Sequence, residues 1–362
     1  MVKDDYIYFE YINFCKKLKS FNIKKNNKIE IPYVSICLPI YNMENYIEKA
    51  LFSILNQSFK KYEIILINDF STDKTNNIIK SYQKKESKIK IINHKKNLGT
   101  FVSRVDGFLN SNSEFIIFMD PDDLLLNPYL LEKLYNFNLK YNLDIIEYTV
   151  FYENQEKKKL YMPDNHKSNH YHHFEKEIIY QPELSNLLFY EPNSITNFSY
   201  VFCRTIWNKM IRKKVLLKVF NFIRKYYNQN EYFNFAEDTI MNILSFQFSS
   251  NYSNIFLPGY LYNIRIKSVS RGNLINNSFI NKNIFLYFEL FYNYIKYFNK
   301  NFNILIYEMN FIKNYLRNFI GFNTTIFIKE ANSFFNLILN DKNISLKSKL
   351  LIKNFSFIYK MN

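Results

Sequence analysis

Glycine is scarce in this chain, with five residues in 362. Neither G-x-G-x-x-G nor G-x-x-x-x-G-K-[ST] occurs, so the backbone cradles of dinucleotide dehydrogenases and P-loop NTPases have no counterpart. A diphosphate bound here must be neutralised by cations and basic side chains instead. Cysteine is scarce too: Cys15, Cys37 and Cys203 lie far apart and form no C-x-x-C pair. That argues against a disulfide framework or a cysteine-rich zinc site and fits a reducing compartment. No run reaches the roughly 18 uninterrupted apolar residues of a membrane-spanning helix. The opening MVKDDYIYFEYINF carries early acids and lacks the apolar core of a cleavable signal. The expectation is a cytoplasmic protein without a membrane span.

Aromatic and basic residues are abundant. With 48% hydrophobic and 19% aromatic residues the chain can bury a sizeable core, and it is long against about 100–200 residues per domain. A net charge of +16 has two readings. It can mark a polyanionic partner, or reflect the enrichment of Lys, Asn, Ile, Phe and Tyr along the whole chain; charge informs partners, not fold.

Between 33 and 150 the pattern alternates. YVSICLP (33–39), YEIILIND (62–69), IKIIN (89–93), EFIIFMD (114–120) and LDIIEYTV (143–150) read as strands, and the segments between them have helical spacing. This predicts an α/β fold with a mainly parallel sheet and helices on both faces. In such sheets ligands bind beyond the carboxyl ends of the strands. Tyr41, Asn42, Asp69 and the acids Asp120, Asp122 and Asp123 all fall there. Clustered Asp oxygens suit hard cations such as Mg²⁺ or Mn²⁺, while the bland reading is a solvated acidic turn. Asp69 is placed to read a base, with capping of the next helix as its alternative; Asp73 is assigned to that cap. Helical spacing returns at RTIWNKMIRKKVLLKVF and AEDTIMNILSFQF, and several aromatic, basic helices follow from about 277. His166, His170, His172 and His173 fit no standard zinc spacing and read as a surface loop; His94 reads as a strand-end residue.

VSICLPIYNMENYIEKALFSILNQSF, YEIILINDFSTDKT, KNLGTFVSRVDG and EFIIFMDPDD, in that order and spacing, resemble the nucleotide-sugar half of bacterial family 2 glycosyltransferases of GT-A fold. IWNKMIRKKV and AEDTIM are similar to the acceptor half of that family, and the likeness extends to lipooligosaccharide galactosyltransferases. The resemblance implies an amino-terminal extension over 1–32, a nucleotide-sugar half over 33–150, an acceptor half over 151–275 and a basic helical region over 276–362. It implies an inverting enzyme that moves a hexose, galactose first, from a UDP-sugar with Mn²⁺ or Mg²⁺ onto a glycolipid or oligosaccharide. Pro39, Ile40 and Tyr41 would hold the uridine, Asp69 the uracil, and Asn97 and Arg104 would approach the nucleotide and sugar. Asp120 would contact ribose or donor sugar, Asp122 would bind the metal, and Asp123 would stand behind the metal ligand or contact the sugar. Asp238 matches the catalytic base and Glu237, beside it, an acceptor contact, and Arg265, Ser268 and Arg271 fall in a loop that closes over the diphosphate. Trp207 is either core or a platform for the acceptor sugar. The last segment, SLKSKLLIKNFSFIYK, sets Leu346, Leu350 and Ile358 against Lys347, Lys349 and Lys353, a pattern for contact with the inner face of an anionic membrane or for simple packing. Two alternatives stand beside this reading. One is a UDP-GalNAc or UDP-GlcNAc transferase in capsule or other glycan synthesis. The other is a basic polyanion- or membrane-binding protein without catalysis; nucleic acid is not the expected partner.

Overall fold

The computed structural model describes residues 31–154, 159–161, 178–181, 205–227, 237–264, 277–298, 336 and 338–341. Strands β1 (Val34–Ile40), β2 (Tyr62–Asn68), β3 (Ile89–Asn93) and β4 (Phe115–Phe118) are mutually parallel in the spatial order β3-β2-β1-β4. Every residue of β1, β2 and β4 is buried. Near-continuous Ile, Leu and Phe runs, rather than alternation, are what a sheet covered on both faces requires. The connections carry helices α1 (Ile47–Leu55), α2 (Thr75–Lys85) and α3 (Thr100–Leu109), and α4 (Leu130–Tyr141) follows β4. Helix α1 buries seven of its nine residues, whereas α2 buries only Thr75 and Ile79. Helix α3 approaches the sheet closely at Gly107, where a Cβ would lie 2.9 Å from Ile67 Cδ1 and 3.0 Å from Cys37 Cβ. A glycine-poor chain keeps one where backbone must meet side chains at that range.

Beyond β4 the sheet becomes mixed. The remaining strands are β5 (Leu124–Leu125), β6 (Ile145–Asn154), β7 (Lys159–Tyr161), β8 (Ile178–Tyr180), β9 (Lys209–Arg212) and β10 (Asn251–Ile264). Among the described residues the order is β3-β2-β1-β4-β9-β6-β10-β5, with β7 on β6 and β8 on β10. Strand β9 runs antiparallel to both β4 and β6 and so joins the parallel half to the rest. Helical spacing was expected across 204–220, but the helix α5 (Lys213–Ile223) starts only after β9. All four residues of KMIR are buried, Lys209 and Arg212 included. Arg212 donates to Asp144 Oδ1 (2.9 Å), Asn142 Oδ1 (2.8 Å) and the Leu143 carbonyl (2.9 Å), pairs with Glu114, and lies over the Phe115 ring. It locks the amino-terminal edge of the sheet, away from the strand ends where ligands bind.

The chain divides into two compact units. The first comprises Met1–Leu188, Tyr200–Phe220 and Met241–Arg265; the second comprises Phe189–Ser199, Asn221–Ile240 and Ile266–Asn362. The first holds the sheet. In the second, the 21-residue helix α7 (Asn277–Tyr297) packs through aromatic residues: Phe222 meets Tyr297 edge to face, and Tyr294 contacts Phe291 and Phe298. Tyr292 and Lys296 on this helix both donate to Asp341 Oδ2, at 2.5 and 2.7 Å. No described helix is long and apolar enough to cross a membrane. The amino-terminal segment 1–30, the histidines at 166–173, the loop residues Arg265, Ser268 and Arg271, and the terminal basic segment all lie outside the described residues.

Candidate functional site

Four parallel strands end on one edge, and the loops that leave them are tied to one another by side chains. After β1, the backbone amide of Asn42 donates to Ser71 Oγ (3.1 Å) and Asn42 Oδ1 accepts the Thr72 amide (2.8 Å). The Met43 amide donates to Thr75 Oγ1 (2.8 Å) and the Glu44 amide to Asp73 Oδ2 (3.1 Å). Asp73 Oδ1 also accepts the Thr75 amide (3.0 Å) at the start of α2, the capping expected of it. Two residues here take left-handed backbone: Asn42 (φ 52°) and Phe70 (φ 64°). Asn adopts that region readily; a Phe does so at a cost of roughly 1–2 kcal/mol. Phe70 is also 49% exposed, so its ring recovers little by burial. Replacing Phe70 by Gly is therefore expected to raise stability by up to about 1 kcal/mol after the entropy of glycine is counted. Phe70→Ala, which keeps a Cβ, should not. Urea unfolding of both variants checks this.

Of the residues matched to uridine, Pro39 and Ile40 are buried at the end of β1 and Tyr41 follows them 45% exposed. The Ile40 carbonyl accepts the Asp69 amide (2.8 Å). Asp69 itself is buried. Its Oδ1 accepts the Leu98 amide (2.7 Å) and faces His94 Nδ1 (2.8 Å), and its Oδ2 accepts the Gly99 amide (2.8 Å). A carboxylate has about four lone-pair positions, so three are occupied by the protein. It does not cap α2. Asn97 Oδ1 accepts the same Gly99 amide (3.1 Å), and Gly99, at φ 89°, turns the chain into α3. From α3, buried Arg104 reaches Asp120 Oδ1 at 3.1 Å.

Asp120 opens the acidic turn after β4, and that turn is fastened to β10. The Asp120 amide donates to the Tyr260 hydroxyl (3.1 Å), which in turn donates to Asp123 Oδ2 (2.8 Å). The Asn263 amide donates to Asp123 Oδ1 (2.8 Å), and Asn263 Nδ2 to the Asp122 carbonyl (3.2 Å). Asp123 is thus turned into the protein at 1% exposure. Burial first, and then the nearby charges of Asp122 and Asp120, push its carboxyl well above the usual range. It fixes the turn and presents nothing to the open edge. Trp207 is buried as well, stacked on Tyr260 and Tyr262 with ring centroids 4.5 and 5.5 Å away. This is a core position.

Among the described residues no three His, Cys, Asp or Glu side chains are grouped so as to hold a metal ion by themselves. With Asp123 turned inward, the turn offers Asp122 and, beside Arg104, Asp120. One or two carboxylates suit a hydrated Mg²⁺-like cation that completes its shell with substrate phosphates, so the residues present fit that use and not a closed cage. Glu237 and Asp238 belong to the second unit, in the first turn of α6 (Glu237–Phe248). Asp238 is half-buried, and its Oδ1 accepts the Thr239 amide (2.8 Å); Glu237 is buried.

Sequence patterns did not reveal Tyr260, Asn263, His94 or Asp106 as parts of this edge. Tyr260 and Asn263 lie some 140 positions downstream of the turn they hold, a pairing that no local pattern encodes. His94 had a local signal, a histidine directly after β3, but not its partners.

The architecture is the GT-A fold. It is similar to that of residues 1–349 of Staphylococcus aureus TarS in complex with UDP-GlcNAc, with a TM-score of 0.52 and 18% identity over 90% of this chain and 80% of that one. An uncharacterized glycosyltransferase of Haemophilus influenzae is 37% identical over 115 residues, which cover 32% of this chain and 46% of that protein. The uncharacterized glycosyltransferase EpsJ of Bacillus subtilis is 28% identical over 217 residues, 60% of this chain and 57% of its own. The chain thus spans about half the length of these curated relatives. The model described as glycosyl transferase family 2 matches residues 35–220, from the first residues of β1 into α5, and the chain belongs to that family.

Proposed function

We propose that the protein is an inverting, metal-dependent transferase that moves a hexose from a UDP-sugar onto a cell-surface glycan. The observation that carries this reading is the Arg104–Asp120 pair beside the pinned Asp120–Asp123 turn, on the same edge as exposed Tyr41 and the Asp69-held loop. Tyr41 would pack on the uridine and Asp69 would offer its remaining acceptor position to the uracil. Arg104 and Asp120 would orient the ribose and sugar, and Asp122 would hold a divalent cation. Such a cation supplies positive charge where the leaving diphosphate gains negative charge. Arg265, Ser268 and Arg271 would close over that diphosphate. Asp238 would take the proton of the attacking acceptor hydroxyl, and no acid is then needed on the leaving group.

The glycan class is supported by relatives whose names include a putative teichuronic acid biosynthesis glycosyltransferase and a poly(ribitol-phosphate) beta-glucosyltransferase. UDP-galactose is the first donor of this reading, with a lipooligosaccharide or similar glycan as acceptor at the inner membrane face. UDP-GlcNAc is the second, favoured by the TarS complex of similar fold. Calorimetric titration of UDP in Mn²⁺, and again in EDTA, tests the site. Wild type should bind UDP in Mn²⁺, and EDTA or Asp122→Ala should weaken binding at least tenfold. A folded wild type that binds no UDP in either condition overturns the proposal and leaves the basic polyanion-binding alternative.

A further inference from the structure

His94 stands directly after β3 with both ring nitrogens on carboxylates. Nδ1 is 2.8 Å from Asp69 Oδ1, and Nε2 is 3.0 Å from Asp106 Oδ2 on α3. The histidine side chain is 5% exposed, and so is that of Asp69, whereas Asp106 lies partly in solvent at 36%. A neutral imidazole has one N–H and one lone pair, so one of the two contacts would set a lone pair against a carboxylate oxygen. Only the imidazolium donates to both.

The carboxylate on its Nδ1 side is the one that holds the turn at the donor edge. Asp69 accepts the amides of Leu98 and Gly99, and Gly99 is the residue from which α3 departs. Arg104, one turn into α3, reaches Asp120. A continuous chain of bonds therefore runs from Asp106 through His94 and Asp69 to the 97–99 turn, and along α3 to the acidic turn. We infer that His94 is a positioning residue of the donor site: as an imidazolium bridging Asp69 and Asp106, it fixes the 97–99 turn and the Arg104 helix where a nucleoside diphosphate is received. This rests on the nucleotide-sugar reading above.

The hydrogen bonds to Asp106 and then to Asp69, working against burial, hold the His94 pKa up at about 9. The charged groups that face the ring are Asp69 at the end of β2 and Asp106 on α3; Lys95 and Lys96, next in the chain, are exposed. The sign follows from the raised value. An unfolded histidine titrates near 6.5, so the contribution of the bridge is complete below about pH 6.5, shrinks above it, and is lost as pH rises through about 9.

The test is UDP affinity by calorimetry on the full chain with Mg²⁺, from pH 7 to pH 10. This range lies above the phosphate titration of UDP, near pH 6; the uracil N3–H deprotonates within it, a loss common to every variant, so the readout is each variant's affinity relative to wild type at the same pH. Wild type should bind evenly to about pH 8 and lose at least fivefold by pH 10. His94→Gln should bind roughly 3–10-fold more weakly at pH 7.5 and lose with rising pH only what ligand deprotonation removes, so that its ratio to wild type closes toward one by pH 10. Asp106→Asn, at a partly exposed position, removes one charge from the bridge and should move the wild-type fall to lower pH. Should His94→Gln fail to fold, Asp106→Asn alone decides: a fall at the wild-type pH overturns the inference. So does a His94→Gln profile that equals or parallels that of wild type. Wild type that binds no UDP at any pH fails the donor-site reading itself, and the inference with it.

Discussion

Asp238→Asn is expected to slow sugar transfer by about 10²–10⁴-fold while UDP affinity stays within twofold of wild type. The variant is nearly isosteric, and its amide oxygen can still accept the Thr239 amide that Asp238 Oδ1 accepts now. What it loses is the basic lone pair that would receive a proton from the acceptor hydroxyl. A loss of two to four powers of ten corresponds to about 3–5 kcal/mol of transition-state stabilisation. The competing account is local: an acid in the first turn of α6 interacts favourably with the helix dipole, worth about 0.3–1 kcal/mol. That account predicts a small loss of stability and unchanged turnover. Measuring UDP release from UDP-galactose and UDP-GlcNAc, with glycan acceptor or with water, separates the two. Glu237→Gln is the comparison: at this buried neighbour the change should act on stability and acceptor binding more than on the chemical step.

How much of this was legible in the sequence depends on where each partner lies. The parallel half was readable because β1, β2 and β4 are buried on both faces and appear as unbroken apolar runs. The position of the acids at the carboxyl edge followed from strand order alone. Their division of labour did not follow. Asp122 and Asp123 are adjacent and chemically identical, and Asp123 is turned inward by Tyr260 and Asn263 from β10. The same holds for Asp69: its place at a strand end is readable, but its bonds to the amides of Leu98 and Gly99 and to the ring of His94 are not. Strand β9 was missed for a related reason. Lys and Arg at its two ends look solvated in sequence, and only the fold supplies their carboxylates.

One of those pairs sets the largest stability effect expected here. Lys209 on β9 lies opposite Glu147 on β6, and both side chains are fully buried. The ammonium stands 3.3 Å from Glu147 Oε2 and donates to the Thr205 carbonyl (2.7 Å) and Asn208 Oδ1 (2.8 Å). Glu147 accepts in addition from Asn208 Nδ2 and the Tyr252 hydroxyl, each at 3.2 Å. Removing one member of a buried, hydrogen-bonded pair leaves a charge stranded, at a cost of about 3–5 kcal/mol, a large part of the roughly 5–15 kcal/mol that holds a domain. Lys209→Ala should therefore unfold at markedly lower urea than wild type. Lys209→Met combined with Glu147→Gln should recover much of the loss, because no charge is stranded and the Gln oxygen still serves Tyr252. If Lys209→Ala unfolds at the wild-type midpoint, the pair is not what secures β9. Two apolar residues of similar volume could match the pair in stability, but not in what it specifies. A slip of β9 by one residue would place Met210 opposite Glu147 and carry Lys209 to the other face of the sheet, leaving two buried charges unpaired. The ion pair thus penalises the wrong register of β9, the short strand that joins β4, from whose end the acidic turn departs, to the half of the sheet whose β10 holds that turn in place.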